Sequence, residues 1–295
     1  MKKLISMAGC AIAMSFAACH TDNYYCPDHQ NSNCEAPPLV DGPVVVTGCK
    51  ADATKCKDST PACDTVADKC VECTAMSHDL CTGTEPVCGS DNACRACTQN
   101  SECASEVCLD TGACADPTQV AYAQVGAAPA NLDCTQTAPC AKVSVALGKG
   151  KATVKVKGAI EESIPLGIGA GVQLVTGDAG AKILGLTPSG IIVSINSGAN
   201  VTFAGIEIAN KAGVLPSVCV ESPNGSTGNA KFFKSSIAGC SKGIDFQGTG
   251  ALTVTQSTVR SNTGGGIVVS GGLFTIENNL IVQNGNSGGN TRGLT

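Results

Sequence analysis

Short apolar runs, rich in β-branched residues and separated by glycine, recur at a fixed spacing along the C-terminal half of the chain. Three segments, residues 230–240, 252–262 and 274–284, align with a step of 22 residues, and residues 200–211 form a looser copy. Three columns of the aligned segments fall in register: Phe232, Val254, Ile276; Ile237, Val259, Ile281; and Cys240, Asn262, Asn284. Such a period, made of runs this short, predicts a β-solenoid in which each repeat forms one coil.

The runs continue upstream to about Lys142, and from there the pattern resembles the right-handed parallel β-helix superfamily that includes pectate lyases. The resemblance implies parallel strands stacked coil upon coil. The predicted fold class is therefore all-β, a right-handed parallel β-helix solenoid that follows a small disulfide-rich repeat region. The column of Cys240, Asn262 and Asn284 resembles the asparagine ladders that hydrogen-bond the turns of such solenoids, which we favour over a ligand site.

Cysteine forms a second repeat upstream of the solenoid, where 14 of the 20 cysteines lie between Cys26 and Cys114. Three units of four cysteines begin 24 residues apart. The units comprise Cys49, Cys56, Cys63, Cys70; Cys73, Cys81, Cys88, Cys94; and Cys97, Cys103, Cys108, Cys114. The residues between them are mostly turn formers with few apolar side chains, so this segment needs cross-links in order to fold.

The abutting pairs Cys70/Cys73 and Cys94/Cys97 have the C-x-x-C spacing of zinc and redox sites as well as of disulfide frameworks. An exported chain with four cysteines per unit and no histidine column favours disulfides, with their connectivity left open. The units resemble short cysteine-rich repeats found in tandem in secreted and surface proteins of some Gram-negative bacteria. That resemblance implies a spacer or interaction module without activity.

Four further cysteines lie within the predicted solenoid. Cys134 and Cys140 are close enough along the chain to predict a local disulfide. Cys219 and Cys240 are 21 residues apart, close to the coil length, so stacking of adjacent coils permits a disulfide between them. Because Cys219 lies in the middle of a predicted strand and Cys240 in the turn column, we expect two separate thiols.

The N-terminus carries a basic start, residues 1–3, followed by a 13-residue apolar run that is too short to span a bilayer. The sequence Ala17-Ala18-Cys19 resembles the lipobox of bacterial lipoproteins, which implies cleavage before Cys19 and lipid on its thiol. Ordinary secretory cleavage near Ala18 is the alternative. His20 stands where an aspartate would resemble an inner-membrane retention signal, so we expect a lipid-anchored protein of the outer membrane or cell surface.

The predicted organisation has four parts: a signal peptide of lipoprotein type (1–18), a tether (19–48), cysteine-rich disulfide repeats (49–116) and a parallel β-helix (117–295). The tether is polar and contains prolines, as a spacer does. Cys26 and Cys34, which lie in it, are expected to pair with each other. The sequence after Asn284 resembles no solenoid cap, so a further hypothesis is that more coils follow Thr295.

Composition and charge exclude a nucleic-acid partner. Residues 1–118 carry a net charge of −9 and residues 119–295 a net charge of +4, and the basic residues are scattered without an arginine cluster. Aromatic residues make up only 3% of the chain, and tryptophan is absent. That composition suits the narrow interior of a solenoid, which is filled by Val, Ile and Leu.

Catalytic chemistry is not visible in the predicted solenoid. All three histidines lie upstream of it. Asp245 and Arg260 are the only suggestive acid–base neighbours, and we interpret them as surface residues; Glu161 and Glu162 would point to opposite faces of a strand. The sequence therefore predicts no catalytic, cofactor-binding or metal-binding residue. The leading hypothesis is a non-catalytic surface lipoprotein whose β-helix binds carbohydrate or a cell-envelope protein, and the alternative is a polysaccharide lyase or glycoside hydrolase of the β-helix superfamily.

Overall fold

The computed structural model describes residues 48–188, 190–214 and 217–285, and the elements in these ranges are almost all β-strands. The strands are β1 Ala62–Asp64, β2 Lys69–Val71, β3 Val87–Cys88, β4 Cys94–Arg95, β5 Val120–Gln124, β6 Thr153–Lys157, β7 Ala159–Glu162, β8 Leu166–Ile168, β9 Leu174–Gly177, β10 Lys182–Gly185, β11 Ile191–Ile195, β12 Asn200–Ala204, β13 Glu207–Asn210, β14 Val218–Ser222, β15 Asn229–Phe233, β16 Ser236–Ala238, β17 Ile244–Phe246, β18 Ala251–Thr255, β19 Thr258–Arg260, β20 Ile267–Val269, β21 Leu273–Glu277 and β22 Leu280–Val282. One α-helix, α1, covers Val143–Leu147, and four 3-10 helices cover Ala53–Lys55, His78–Leu80, Asn100–Glu102 and Pro117–Gln119. No helix within these ranges is long and apolar enough to cross a membrane.

The strands from β6 onward form a parallel β-helix, as the repeat predicted. Sheet I has the order β21-β18-β15-β12-β9-β6-β5, sheet II the order β22-β19-β16-β13-β10-β7, and sheet III the order β20-β17-β14-β11-β8. Each coil contributes one strand to each sheet, which gives five coils of three strands followed by β21 and β22. All strand pairs within the three sheets are parallel.

The apolar columns of the sequence form the interior of the solenoid. Phe232 lies beside Val254 in the register of sheet I, and Ile237 lies beside Val259 in sheet II. All four side chains are fully buried. The looser upstream copy joins the same columns, because the Phe203 ring stacks on the Phe232 ring with centroids 4.9 Å apart and planes 5° apart. One coil is therefore one sequence repeat, and side chains a repeat apart pack on each other.

The asparagine column forms a hydrogen-bonded ladder inside the turn between sheets II and III. The Asn262 carboxamide oxygen accepts from the Cys240 backbone N–H at 2.9 Å, and its amide donates to Asn284 Oδ1 at 2.8 Å. Asn284 in turn donates to the Val259 carbonyl at 2.8 Å. Asn262 is fully buried, so these bonds satisfy groups that water cannot reach.

A second ladder lies in the turn between sheets I and II, and the sequence repeat did not predict it. Ser257 Oγ accepts from the Ser235 N–H at 3.1 Å, and Asn279 Oδ1 accepts from the Ser257 N–H at 2.8 Å. The residue before each rung has a left-handed backbone, as at Lys234 (φ 50°) and Gln256 (φ 51°). The chain turns sharply there, so one backbone N–H has no partner strand, and the polar side chain of the next coil accepts its hydrogen bond.

Helix α1 covers the first coil of the solenoid. Its buried residues Val143 and Ala146 join the interior, and the Glu162 carboxylate accepts from the Val143 N–H at 2.6 Å. Glu161, the neighbour of Glu162 in β7, points outward and pairs with Lys211 at 2.7 Å. The two adjacent glutamates thus lie on opposite faces of the strand, as predicted.

The prediction of two separate thiols at Cys219 and Cys240 is wrong. The two residues form a disulfide with Cα atoms 5.6 Å apart, and both are fully buried in the interior. The Cys219 N–H donates to the Lys242 carbonyl at 3.0 Å, so the chain just after Cys240 runs beside the start of β14. The turn that follows β16, which contains Cys240, therefore lies beside the start of β14, which contains Cys219, although the sequence predicted that the two were apart.

Every four-cysteine unit contains two disulfides, which join the first cysteine to the third and the second to the fourth. The bonds are Cys49–Cys63, Cys56–Cys70, Cys73–Cys88, Cys81–Cys94, Cys97–Cys108 and Cys103–Cys114, and Cys134–Cys140 forms the predicted local disulfide. In each unit three sulfur atoms lie within 4.8 Å of one another, as metal-binding thiolates would. The disulfides occupy these sulfurs, so in this oxidised form they are not thiolate ligands.

Cys19, Cys26 and Cys34 lie outside the described residues, together with the predicted signal peptide and most of the tether. Their lipidation and pairing stay predictions.

Candidate functional site

The third cysteine unit, residues 97–114, packs against the outer face of sheet I. A small apolar cluster joins the two parts, and its buried members are Val107, Ala115, Val120 and Tyr122. The Tyr122 hydroxyl, on β5, donates to the Ser105 carbonyl of the unit at 2.8 Å. An ion pair between Lys157 and Glu106 joins the same two surfaces. This unit is therefore part of the solenoid surface and not a free spacer.

An outward-facing row of sheet I runs from beneath the third unit into the open. In register, the row is Tyr122, Lys155, Thr176, Ala204 and Phe233. The unit covers the first two side chains completely, whereas Phe233 is only half-buried. The uncovered end of this row forms the floor of a cleft.

The cleft has a volume of about 520 Å³ and lies between the third unit and sheet I. Its lining comes from Ala96–Asn100 and Cys108–Gly112 of the cysteine region and from Thr176, Gly177, Ala204, Gly205, Phe233 and Lys234 of the solenoid. The lining combines one aromatic ring with hydroxyl, amide and backbone groups. A concave surface of this size and mixed polarity is typical of a site for a small ligand or for a few units of a polymer.

Two lysines flank the aromatic floor of the cleft. The Lys234 ammonium lies 4.8 Å from the centroid of the Phe233 ring, and the Lys231 ammonium lies 5.5 Å from it. Lys231 also forms an ion pair of 2.8 Å with Asp110 of the third unit. In the described part of the chain no carboxylate lies within 4.0 Å of the Lys234 ammonium. The cleft thus offers an aromatic face beside an exposed positive charge.

Asn100 connects the two sides of the cleft. Its amide nitrogen is 3.4 Å from both the Gly177 carbonyl and Asp178 Oδ1 on the solenoid, and its Oδ1 accepts from the Cys108 N–H at 3.0 Å. Asp178 in turn pairs with Lys155 at 2.5 Å. Lys155 is completely buried, and burial lowers its pKa although Asp178 opposes that shift.

Glu221 and Asp245 are the nearest approach to a catalytic carboxylate pair. They are register neighbours on adjacent coils of sheet III, and the pKa of Glu221 is raised by burial and then by Asp245. However, the Asp245 side chain is only 6% exposed, and its Oδ2 accepts from Lys242 at 2.6 Å and from Gln247 at 3.1 Å. This carboxylate is already satisfied by protein donors and is closed to a substrate.

The suggested neighbours Asp245 and Arg260 do not meet. Arg260 lies in β19 of sheet II and approaches Glu207 at 4.0 Å, whereas Asp245 lies in β17 of sheet III. The interpretation of both as surface residues is correct for Arg260, which is exposed, and wrong for Asp245, which is buried.

The sequence shows one part of the cleft but not the other. Phe233 follows Phe232, which the repeat places inside, so the alternation of a strand puts Phe233 on the outer face. The sequence therefore indicates that this aromatic ring lies on the outer surface. The position of the third cysteine unit above this face depends on contacts between distant segments, and no local pattern encodes it. Of the residues singled out beforehand, Cys97 and Cys108 line the cleft, whereas the ladder residue Asn262 lies inside the solenoid.

No protein-family model matches the chain, and no curated protein or solved structure matches it significantly. The fold and the cleft therefore carry the functional argument by themselves.

Proposed function

We propose that this protein is a polysaccharide-binding protein of the cell surface. The observation that supports it best is the cleft whose floor is Phe233 and whose walls come from both the solenoid and the third cysteine unit. Sugar rings present apolar C–H faces and polar rims, so they suit an aromatic face surrounded by hydroxyl and amide groups. Thr98, Gln99 and Thr111 supply such groups on the wall.

The charges beside Phe233 favour sugars that carry carboxylate or sulfate groups. Lys234 is exposed at the rim, and Lys231 is held near the ring by Asp110. An anionic substituent would pair with Lys234 while the sugar ring contacts Phe233. Binding through exposed charges of this kind weakens as salt rises, because ions screen the attraction.

The predicted location complements this function. Lipid on Cys19 would hold the chain at the outer membrane or cell surface. The parallel β-helix and the disulfides suit such a role, since cross-linked folds persist in oxidising compartments.

The test is the affinity of the mature chain for a panel of neutral, uronate-containing and sulfated polysaccharides. We expect at least one charged polymer to bind, and Phe233→Ala to weaken that binding at least tenfold. Phe274→Ala is the matched control, because Phe274 is 58% exposed on the same sheet but lies outside the cleft. If no polysaccharide binds, or if both variants bind like the wild type, the proposed function is wrong.

A polysaccharide lyase or hydrolase is the competing function, and the register pair of Glu221 and Asp245 is the observation that favours it. Most glycoside hydrolases use two catalytic carboxylates whose pKa values differ. Incubation with the bound polymer and measurement of new reducing or unsaturated ends distinguishes the two functions. We expect no turnover; turnover that Glu221→Gln abolishes would establish the enzyme instead.

A further inference from the structure

We propose that Lys155 is a positioning residue for the cleft, and that it fixes the separation of the two cleft walls through Asp178 and Asn100. Lys155 does not line the cleft and would not touch a ligand. The inference rests on the proposed function, because it concerns how tightly the same cleft holds its ligand.

The contacts form an unbroken chain from the sheet to the wall. The Lys155 ammonium pairs with Asp178 Oδ1 at 2.5 Å, and the Asn100 amide donates to the same oxygen at 3.4 Å. The other end of the Asn100 side chain accepts from the Cys108 N–H at 3.0 Å. Asn100 and Cys108 line the cleft on the cysteine unit, and the Asn100 amide also donates to the carbonyl of Gly177, which lines it on the solenoid, at 3.4 Å. The Asn100 side chain thus joins the two walls, and the Lys155–Asp178 pair holds one of its two partners on the solenoid.

The burial of Lys155 makes it an unusual choice for a purely stabilising contact. Its side chain is 0% exposed, whereas that of Asp178 is 50% exposed. Removing an ammonium from water is costly, and because Asp178 is half exposed, an apolar replacement of Lys155 leaves no buried carboxylate without a partner. What an apolar side chain cannot do is hold the Asp178 carboxylate at a fixed point for Asn100.

The charged and titratable groups that surround Lys155 are Asp178, Glu106, Lys157 and the register neighbour Tyr122. Burial lowers the pKa of Lys155, and burial together with Glu106 raises the pKa of Tyr122. Lys155 therefore loses its proton at a lower pH than an exposed lysine does. Asp178 then lacks its cation, and the Asn100 bridge loosens.

The effects of pH on stability and on affinity have opposite signs. The pKa of Lys155 is lower in the folded chain than in the unfolded chain. At a pH between these two pKa values the unfolded chain binds more protons, so rising pH favours the folded state. Ligand affinity falls in the same window, because the cleft walls lose their fixed separation. A merely structural role of Lys155 does not predict this opposite behaviour.

The experiment compares the full mature chain with Lys155→Met, using the polysaccharide that binds the wild type. We expect the variant to bind about fivefold to tenfold more weakly with an unchanged or higher melting temperature, and to lose the alkaline fall in affinity that the wild type shows. Lys155→Arg should recover part of the affinity. Lys182→Met, which removes an exposed lysine that pairs with Glu207 on sheet II, is the matched control and should bind normally.

The single variant Asn100→Ala keeps the test decisive if Lys155→Met folds poorly, and where both variants fold, a double-mutant cycle extends the test. Asn100→Ala alone should weaken binding and remove the alkaline fall, and adding Lys155→Met should weaken it little further, because both changes break one chain of contacts. Normal affinity in both single variants, with binding still weakened at least tenfold in Phe233→Ala, overturns the role of Lys155 and leaves the proposed function standing. Absence of binding in the wild type overturns both.

Discussion

Single polar residues decide how the interior of the solenoid is closed. Asn262 is fully buried, yet its carboxamide accepts from one coil and donates to the next. In the neighbouring turn the Ser257 hydroxyl accepts from the Ser235 N–H of one coil, and the Ser257 backbone N–H donates to Asn279 of the next. A buried donor without a partner costs about 1–3 kcal/mol, so each of these rungs offsets a cost of that size at its turn.

The buried disulfide Cys219–Cys240 leads to a prediction at this scale. Replacing both cysteines by alanine should destabilise the protein by about 3 kcal/mol in the chain-entropy model for a loop of roughly 20 residues. Urea unfolding of the double variant and of the wild type measures the difference. As a control, the variant lacking Cys49 and Cys63 should leave unfolding of the solenoid unchanged; equal effects of the two double variants would contradict the prediction.

Short elements also derive their stability from one or two side chains. The 3-10 helix Asn100–Glu102 has a capping box, in which the Glu102 carboxylate accepts from the Thr98 and Gln99 N–H groups at 2.7 and 3.1 Å. The same carboxylate pairs with Arg95 at 2.6 Å. Thr98, Gln99 and Asn100 line the cleft, so Glu102 shapes the wall without contacting the ligand.

The titration of Glu102 gives a prediction for ligand binding. The hydrogen bond from Arg95, followed by the backbone bonds, lowers the pKa of Glu102 from 4.5 to about 2. A carboxylate whose folded pKa is lowered contributes stability above its unfolded value, and that contribution is lost as pH falls toward the folded value. Stability should therefore decline between about pH 5 and pH 2, whereas ligand affinity should decline only as pH approaches about 2, where Glu102 of the folded chain takes up a proton.

Affinity measured across this range for the wild type and for Glu102→Gln checks the prediction. The variant should bind several-fold more weakly near neutral pH and show a shallower decline in acid. An identical acid profile in the two proteins would exclude a role for Glu102.

The whole molecule combines a predicted membrane anchor with a cleft that two segments of the chain build together. The basic start, the apolar run and the sequence Ala17-Ala18-Cys19 motivate a prediction at this scale. Cys19→Ser should move the protein from the membrane fraction to the soluble fraction, because the acyl chains that hold it would be absent. Fractionation followed by mass determination of the N-terminus checks this, and unchanged membrane association with normal processing would contradict it.

The sequence by itself determined the solenoid. Residues one repeat apart, such as Phe232 and Val254, became register neighbours because strand alternation and coil length are local properties. Cross-linking of the cysteine units was equally predictable, because a segment with so few apolar residues folds only when cross-linked, whereas the connectivity came from the structure.

Only the tertiary structure decided where the cleft lies. The third cysteine unit contacts Tyr122 and Lys157 of sheet I, which are distant from it along the chain. These contacts place the unit beside the outer row of the sheet, so that the row forms the floor of a cleft and the unit forms its wall. The same limit explains Cys219 and Cys240, whose disulfide depends on the turn after β16 lying beside the start of β14. The repeat in the sequence determines which residues stack on one another from coil to coil. The path of the chain through each turn determines which of these stacks lie in contact.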